Sequence, residues 1–376
     1  MMKNITLLLV IIFFCHRISF GSSFRIKEVS EDKEKNSWFM PRENGWLSGD
    51  AAHSIALGKN RILWIFGDTW TGKFQNNTLI PDQWYVNNSI AIQQFDSSGN
   101  SEIEFVFGND EEGRAFFPNK NNMPGKYLWP TNGFILDDFL YIFCQAVAHG
   151  VDGWFSISGT VVVEVTNPSE HPKKWHKNYY NFETPEWRGD DFQLLYHSAL
   201  FKKDKYIYFM GLAIENRKKK AILSRMLKND FLKNKNSNDL EHFVWKKNLK
   251  KWSKTTQNRV YIFEPGNTES NLQYISDWDL YVTTTYTALD NKILLTYSKS
   301  LEGPWSEPEV VFENPIINCP EKTCIETYAV RSHPEFAQET GEIIVSYITS
   351  YTGDYKNANI NSYRPRFIKI QLEKVN

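Results

Sequence analysis

Two aspartates, Asp50 in GDAAHSIAL and Asp68 in LWIFGDTW, flank a pair of segments rich in apolar, β-branched and aromatic residues. Segments of this kind joined by a short polar turn read as antiparallel strands. The second strand runs back to the level at which the first began, so the two carboxyl groups are expected side by side. Paired carboxyl groups of unequal acidity can protonate a leaving oxygen and activate water or attack carbon, the minimum apparatus for hydrolysing an acetal. Asp50, at the head of its strand, is expected to be the base or nucleophile, and Asp68 the acid. Each also has a plainer reading, in which its side chain closes a turn onto backbone N–H groups.

The elements that would position such a pair recur. The order apolar strand, polar turn, stronger aromatic strand returns as TNGFIL and FLYIFCQ, YHSALF and KYIYFMG, SNLQYI and DLYVTTTY, and TYAVRSHPEF and GEIIVSYI. With the first pair this makes five copies, spaced by roughly 55–85 residues, the signature of a repeat architecture. The predicted fold is all-β, a five-bladed β-propeller in a single domain over residues 22–376. NSIAIQQF, TVVVEV, KILLTYS and FIKIQL would supply outer strands, and the segment after residue 21 a closing strand of unassigned position. A six-bladed ring and a pair of sandwiches are the competing architectures.

In a propeller the innermost strands all begin at one face, so the residues at their starts converge. Here these are Asp50, Asn132, His197, Glu269 and Glu326, with Asp68, Gln145, Gly211 and Tyr347 at the returning ends. Asn132, His197, Glu269 and Glu326 are therefore candidate substrate-binding groups. Arg331 is another, and Arg364 is weighed beside it. His197 can equally be a satisfied core histidine, the two glutamates a solvated rim, and the arginines partners of the acids.

The chain is 15% aromatic with 13 Trp, enough to spare some rings for stacking against sugar faces. Trp70 and Trp129 are the leading candidates, followed by Trp46, Trp154, Tyr351 and Tyr355. Packing between blades is the alternative for all of them, and Trp305 in SLEGPW is assigned to it. No cofactor is required by this chemistry and no metal-ligand pattern appears, although a channel cation near His197 fits the geometry.

Lys3, the apolar run ITLLLVIIFF and small residues ending at Gly21 read as a signal peptide over residues 1–21, giving a secreted or periplasmic protein with no membrane association after cleavage. A lipoprotein anchored at Cys15 is disfavoured by Phe13 and Phe14 beside it. The net charge of -1 gives no general field for nucleic acid, and the lysine-rich stretch from Lys228 to Lys254 reads as a solvated loop around an outer strand. Cys144 lies in an apolar strand, which leaves Cys319 and Cys324 as a disulfide closing a surface loop.

GDAAHSIAL, LWIFGDTW, YLWPTNGFIL, GNTES, SLEGPWSEP and YAVRSHPEF together resemble the five-bladed propeller family formerly called domain of unknown function 4185. That family includes endo-D-arabinanases of glycoside hydrolase family 183, and its architecture is similar to that of family 43. The resemblance implies cleavage of arabinofuranosyl or related polysaccharide linkages, with Asp50 and Asp68 as the catalytic pair. It also implies an acid where this chain has Asn132. Two other readings of the same surface are a non-catalytic carbohydrate- or protein-binding propeller and a sialidase-like site, the latter needing an arginine cluster.

Overall fold

A computed structural model describes residues 23–82, 85–109, 114–149, 155–183, 192–287, 290–315, 326–351, 353–358 and 360–375. The signal segment with Cys15, Trp154 and the Cys319–Cys324 loop lie outside these residues. Among the described residues the strands form five antiparallel sheets of four or five strands and one small sheet of three. No helix among them is long and apolar enough to cross a membrane.

Four of the larger sheets follow chain order from one edge to the other. The first runs His53–Gly58, Arg61–Phe66, Ser89–Phe95, Ser101–Val106, and the second Tyr127–Leu136, Phe139–His149, Phe155–Val165, Lys177–Glu183. The third begins with Phe192–Lys203, Tyr206–Glu215 and Lys218–Leu227, then adds the hairpin Glu241–Lys246 and Leu249–Ser253. The fourth is Leu272–Ile275, Leu280–Thr287, Lys292–Ser298, Glu309–Glu313.

The fifth sheet departs from chain order. Thr327–Ser332, Glu342–Thr349 and Arg366–Lys374 are followed by Phe24–Glu31, which pairs antiparallel from Phe24 opposite Lys374 to Glu31 opposite Ile368. This is the closing strand that the sequence left unassigned. It ties the two ends of the described chain into one sheet.

Each sheet packs on the next through an apolar layer. Ile55, Leu63 and Ile142 lie between the first and second, Phe143, Leu194 and Phe209 between the second and third, and Met210, Leu272 and Tyr281 between the third and fourth. Val282, Val330 and Val345 fill the space between the fourth and fifth, and Trp64, Phe66, Ile344 and Phe367 join the fifth back to the first. These contacts form a closed cycle. Trp305, as expected, packs at the boundary of the third and fourth sheets, against Phe263.

The edge strands that face one another carry irregularities at their centres. Pairing is interrupted at Thr131, at Tyr196–Ser198 and at Ala329–Val330, where Ala329 has φ 49°. A bulge re-aims side chains that would otherwise follow the alternation of the strand. Here it turns Thr131, His197 and Arg331 towards one another: His197 Nδ1 lies 2.9 Å from Thr131 Oγ1, and Arg331 Nη1 donates to the Thr131 carbonyl at 2.7 Å.

Candidate active site

The small sheet explains where the two aspartates stand. Its strands Asn44–Gly49 and Thr69–Gln75 are the continuation of His53–Gly58 and Arg61–Phe66, and the ribbon is broken between them. Asp50 and Asp68 occupy the break. Their backbones still face each other, with Asp50 N–H donating to the Asp68 carbonyl at 3.1 Å and Gly67 N–H to the Asp50 carbonyl at 3.2 Å. Ala51 and Ala52, at φ 68° and 53°, hold consecutive left-handed conformations that cost energy for a residue with a Cβ. Gly67 is needed for a different reason: a Cβ there would collide with Oδ1 of Asp50.

Both carboxyl groups line one cavity of about 430 Å³, together with Trp129, Gln145, Lys219, Glu269 and Glu326. Tyr328 and Tyr363 donate to Oδ2 of Asp50, each at 3.1 Å, and Tyr363 does so from a left-handed backbone at φ 55°. Asp68 Oδ1 accepts from Trp129 Nε1 at 2.9 Å and from Asn87 Nδ2 at 3.3 Å. The donors to both carboxyl groups are side chains, so neither aspartate is spent on closing a turn.

Their surroundings make them unequal. Burial, then the negative charges of Asp68 and Glu269, push Asp50 up to about 8 against the opposing hydrogen bonds of the two tyrosines. Burial raises Asp68 to about 6, held back by Trp129 and Asn87. Both keep part of their surface open to the cavity. At neutral pH the arrangement favours a proton on Asp50 and a charge on Asp68, the reverse of the order expected from strand position.

The other sequence candidates divide by where they fall along their strands. Glu269 and Glu326 precede Leu272–Ile275 and Thr327–Ser332, and both line the cavity. Asn132, His197 and Arg331 fall inside strands and are buried in the interior, away from the cavity lining. Asn132 donates to the carbonyls of Ser198 and Ser270 at 3.2 and 3.3 Å and accepts from Gly133 N–H, so it ties its own sheet to the third sheet and to the segment leading into Leu272–Ile275. His197 has its second nitrogen 2.9 Å from Thr160 Oγ1, which leaves neither ring nitrogen for a cation, and burial lowers its pKa to about 4. Among the described residues no cluster of acidic, His or Cys side chains has the grouping to hold a metal ion.

Arg331 is fully buried, its pKa lowered to about 10 by burial and partly restored by the charges of Glu269 and Asp50. Its Nε and Nη2 have no hydrogen-bond partner, and it lies outside the cavity lining. Arg364 clamps a loop through the carbonyls of Ile360 and Asn36, and no arginine lines the cavity among the described residues.

Of the aromatic candidates, Trp129 lines the cavity with Phe155 edge-on to it at 4.7 Å. Trp70 stands behind the wall, stacked on Tyr355 at 4.6 Å with Tyr85 between it and the cavity. Trp46 is a core residue stacked on Phe105, and Tyr355 is buried with its hydroxyl on Ser48. Sequence reasoning missed Tyr328, Tyr363 and Lys219 as parts of the site. It noted Gln145 only as a strand end, yet its buried Nε2 has no partner.

The chain shares its fold with solved structures. A Bacteroides ovatus protein provisionally described as a hydrolase aligns over 91% of this chain and 90% of its own at 18% identity, with a TM-score of 0.70. The family 117 glycoside hydrolase Zg3597 of Zobellia galactanivorans aligns over 93% and 90% at 12% identity, with a TM-score of 0.50. No curated protein matches the chain by sequence. The profile of the domain of unknown function DUF5005 matches residues 32–372. The chain therefore belongs to the DUF5005 family.

Proposed function

We propose that this protein is an exported glycoside hydrolase, secreted or periplasmic, whose five larger sheets are the blades of a five-bladed propeller. Its substrate is a polysaccharide with arabinofuranosyl-type or related linkages, as the motif resemblance implies. The observation that carries the reading is the pair Asp50 and Asp68, open to one cavity and held at different acidities. Asp50 acts as the general acid, because its surroundings keep it protonated. Asp68 acts as base or nucleophile, because Trp129 and Asn87 stabilise its charge. Trp129 offers a face for a sugar ring beside Asp68. No cofactor enters this chemistry.

The fold relatives include a glycoside hydrolase, which is compatible with this reading and does not fix the substrate. The test is a screen of purified protein against arabinans, galactans and arabinogalactans, with Asp50→Asn and Asp68→Asn as controls. Release of reducing ends by wild type but neither variant supports it. Binding without release by any of the three proteins would favour a carbohydrate-binding module.

A further inference from the structure

Part of the positive charge of a nearly neutral chain lies beside the cavity. Arg217 lies in the turn between Tyr206–Glu215 and Lys218–Leu227, Lys218, Lys219 and Lys220 begin the second of these strands, and Lys219 reaches the cavity wall. The segment that follows the outer hairpin connects this turn to a second basic element. Gly266 N–H donates to the Lys219 carbonyl, Ile262 N–H to that of Ala221, and Trp245 N–H to that of Asn258. The hairpin beyond holds Lys246, Lys247, Lys250 and Lys251, all exposed.

This strip is shaped as well as charged. Trp245, Lys247, Asn248, Asn258, Arg259 and Tyr261 line an open depression of about 770 Å³, with Glu215 as its one acid among the described residues, accepting from the Tyr261 hydroxyl. Trp245 and Tyr261 are 46% and 38% exposed. Lys250 pairs across the hairpin with Trp245 and sits 5.2 Å from its ring, while Lys220 lies 4.2 Å over Tyr261. Some of the cations are neutralised, as Lys220 by Glu215 and Lys218 by Glu264. Lys219, Lys247 and Lys250 have no ion-pair partner among the described residues.

The cavity floor has the opposite character, with Asp50, Asp68, Glu269 and Glu326. An anionic sugar over the ionised members of this group would be repelled. One placed a few residues along the chain would meet the lysines.

We propose that the substrate is an acidic polysaccharide: a neutral sugar is cleaved over Asp50 and Asp68, while anionic groups further along the same chain are held by Lys219 and by the face of Trp245, Lys247 and Lys250. This rests on the hydrolase reading and names the class of its substrate. The strip extends the binding groove outward from the cavity, with Trp245 and Tyr261 stacking sugar rings and the lysines pairing with carboxylate or sulfate groups.

The experiment is affinity electrophoresis of the full-length mature Asp50→Asn protein, which leaves the probe uncut, in gels containing polygalacturonate, a sulfated galactan, a neutral arabinan or DNA. Retardation by an acidic glycan well beyond that by neutral arabinan is expected. Lys247→Ala/Lys250→Ala should weaken it by roughly five- to tenfold at low salt and by much less at high salt, since exposed charge pairs are screened. Trp245→Ala should weaken it at both salt concentrations. The uronate and sulfate gels distinguish which anion is read. Equal retardation by arabinan, or by DNA as strongly as by the glycans, would overturn the proposal. So would an effect of the lysine pair with none from Trp245→Ala, the mark of a plain ion exchanger. Because the readout is binding, failure here leaves the hydrolase reading standing, and binding without hydrolysis by wild type defeats only the latter.

Discussion

The mouth of the cavity and the interior beneath it are built from the same kinds of residue and behave differently. At the mouth, Asp50 and Asp68 keep lone pairs open to the cavity, and Gln145 keeps an unpartnered amide nitrogen. Beneath it, Asn132 has both ends of its amide bonded and His197 both nitrogens, so these two side chains hold sheets together, while Arg331 keeps Nε and Nη2 unpartnered but outside the cavity lining. What a ligand can use is the unspent capacity that lines the cavity. Most left-handed non-glycine residues lie in turns away from the site, but Ala51 and Ala52 beside Asp50 and its donor Tyr363 hold that conformation at the mouth.

The strongest way to break this contrast is at the mouth. Asp50→Asn and Asp68→Asn keep shape and remove proton transfer, so turnover should fall by about two or more orders of magnitude, with the fold intact by circular dichroism. Near-normal turnover in both variants would remove the distinction between the two regions. A smaller effect is expected from Gly67→Ala, whose new methyl displaces the Asp50 carboxyl without changing its chemistry. Misplacement on that scale should lower kcat by roughly tenfold to a hundredfold, with KM less affected.

In the interior the same style of substitution should act on stability. Asn132→Asp directs a carboxylate at the carbonyls of Ser198 and Ser270, which need a donor. Urea denaturation should show a loss of about 2–4 kcal/mol, with kcat of the remaining folded enzyme nearly unchanged. A gain in activity would instead mean that an acid at this position tunes its neighbours, as the family resemblance implies.

The division between the regions was half visible in the sequence. A strand pair with an aspartate at each open end can be read from alternation and turn residues, because both ends belong to one hairpin. The depth of a residue along its strand cannot. TNGFIL looks like the start of a strand, yet pairing begins at Tyr127, and this draws Asn132 into the interior. Tyr328 and Tyr363 reach Asp50 from the far end of the chain, Tyr363 from a left-handed backbone that no composition rule predicts. Trp46 and Trp70 show the same limit for aromatics, whose number suggested a stacking surface but not which rings would face it. Phe24–Glu31 was not assignable because its partner, Arg366–Lys374, is decided by closure of the whole cycle.

The smallest expected effect separates the regions by pH. Asp50 is raised from 3.8 to about 8 in the folded protein, so between those values the folded state holds a proton that the unfolded chain has lost. Stability then falls as pH rises through that window. Asp68 adds a slope of the same sign, ending near 6. The interior histidines act in the opposite direction: His53, His197 and His333 are lowered from 6.5 by burial, so the unfolded chain binds the extra protons and stability rises with pH up to about 6.5. Below pH 6.5 the two regions offset each other. Between about 6.5 and 8 the histidines are silent and the mouth dominates. Wild-type Tm should therefore decline over that interval, and Asp50→Asn, which cannot ionise, should decline less and be the more stable protein at pH 8. A wild-type Tm that is flat or rising from pH 6.5 to 8, with Asp50→Asn parallel to it, would mean that Asp50 is ionised throughout and that the proton needed by the leaving group comes from elsewhere in the cavity.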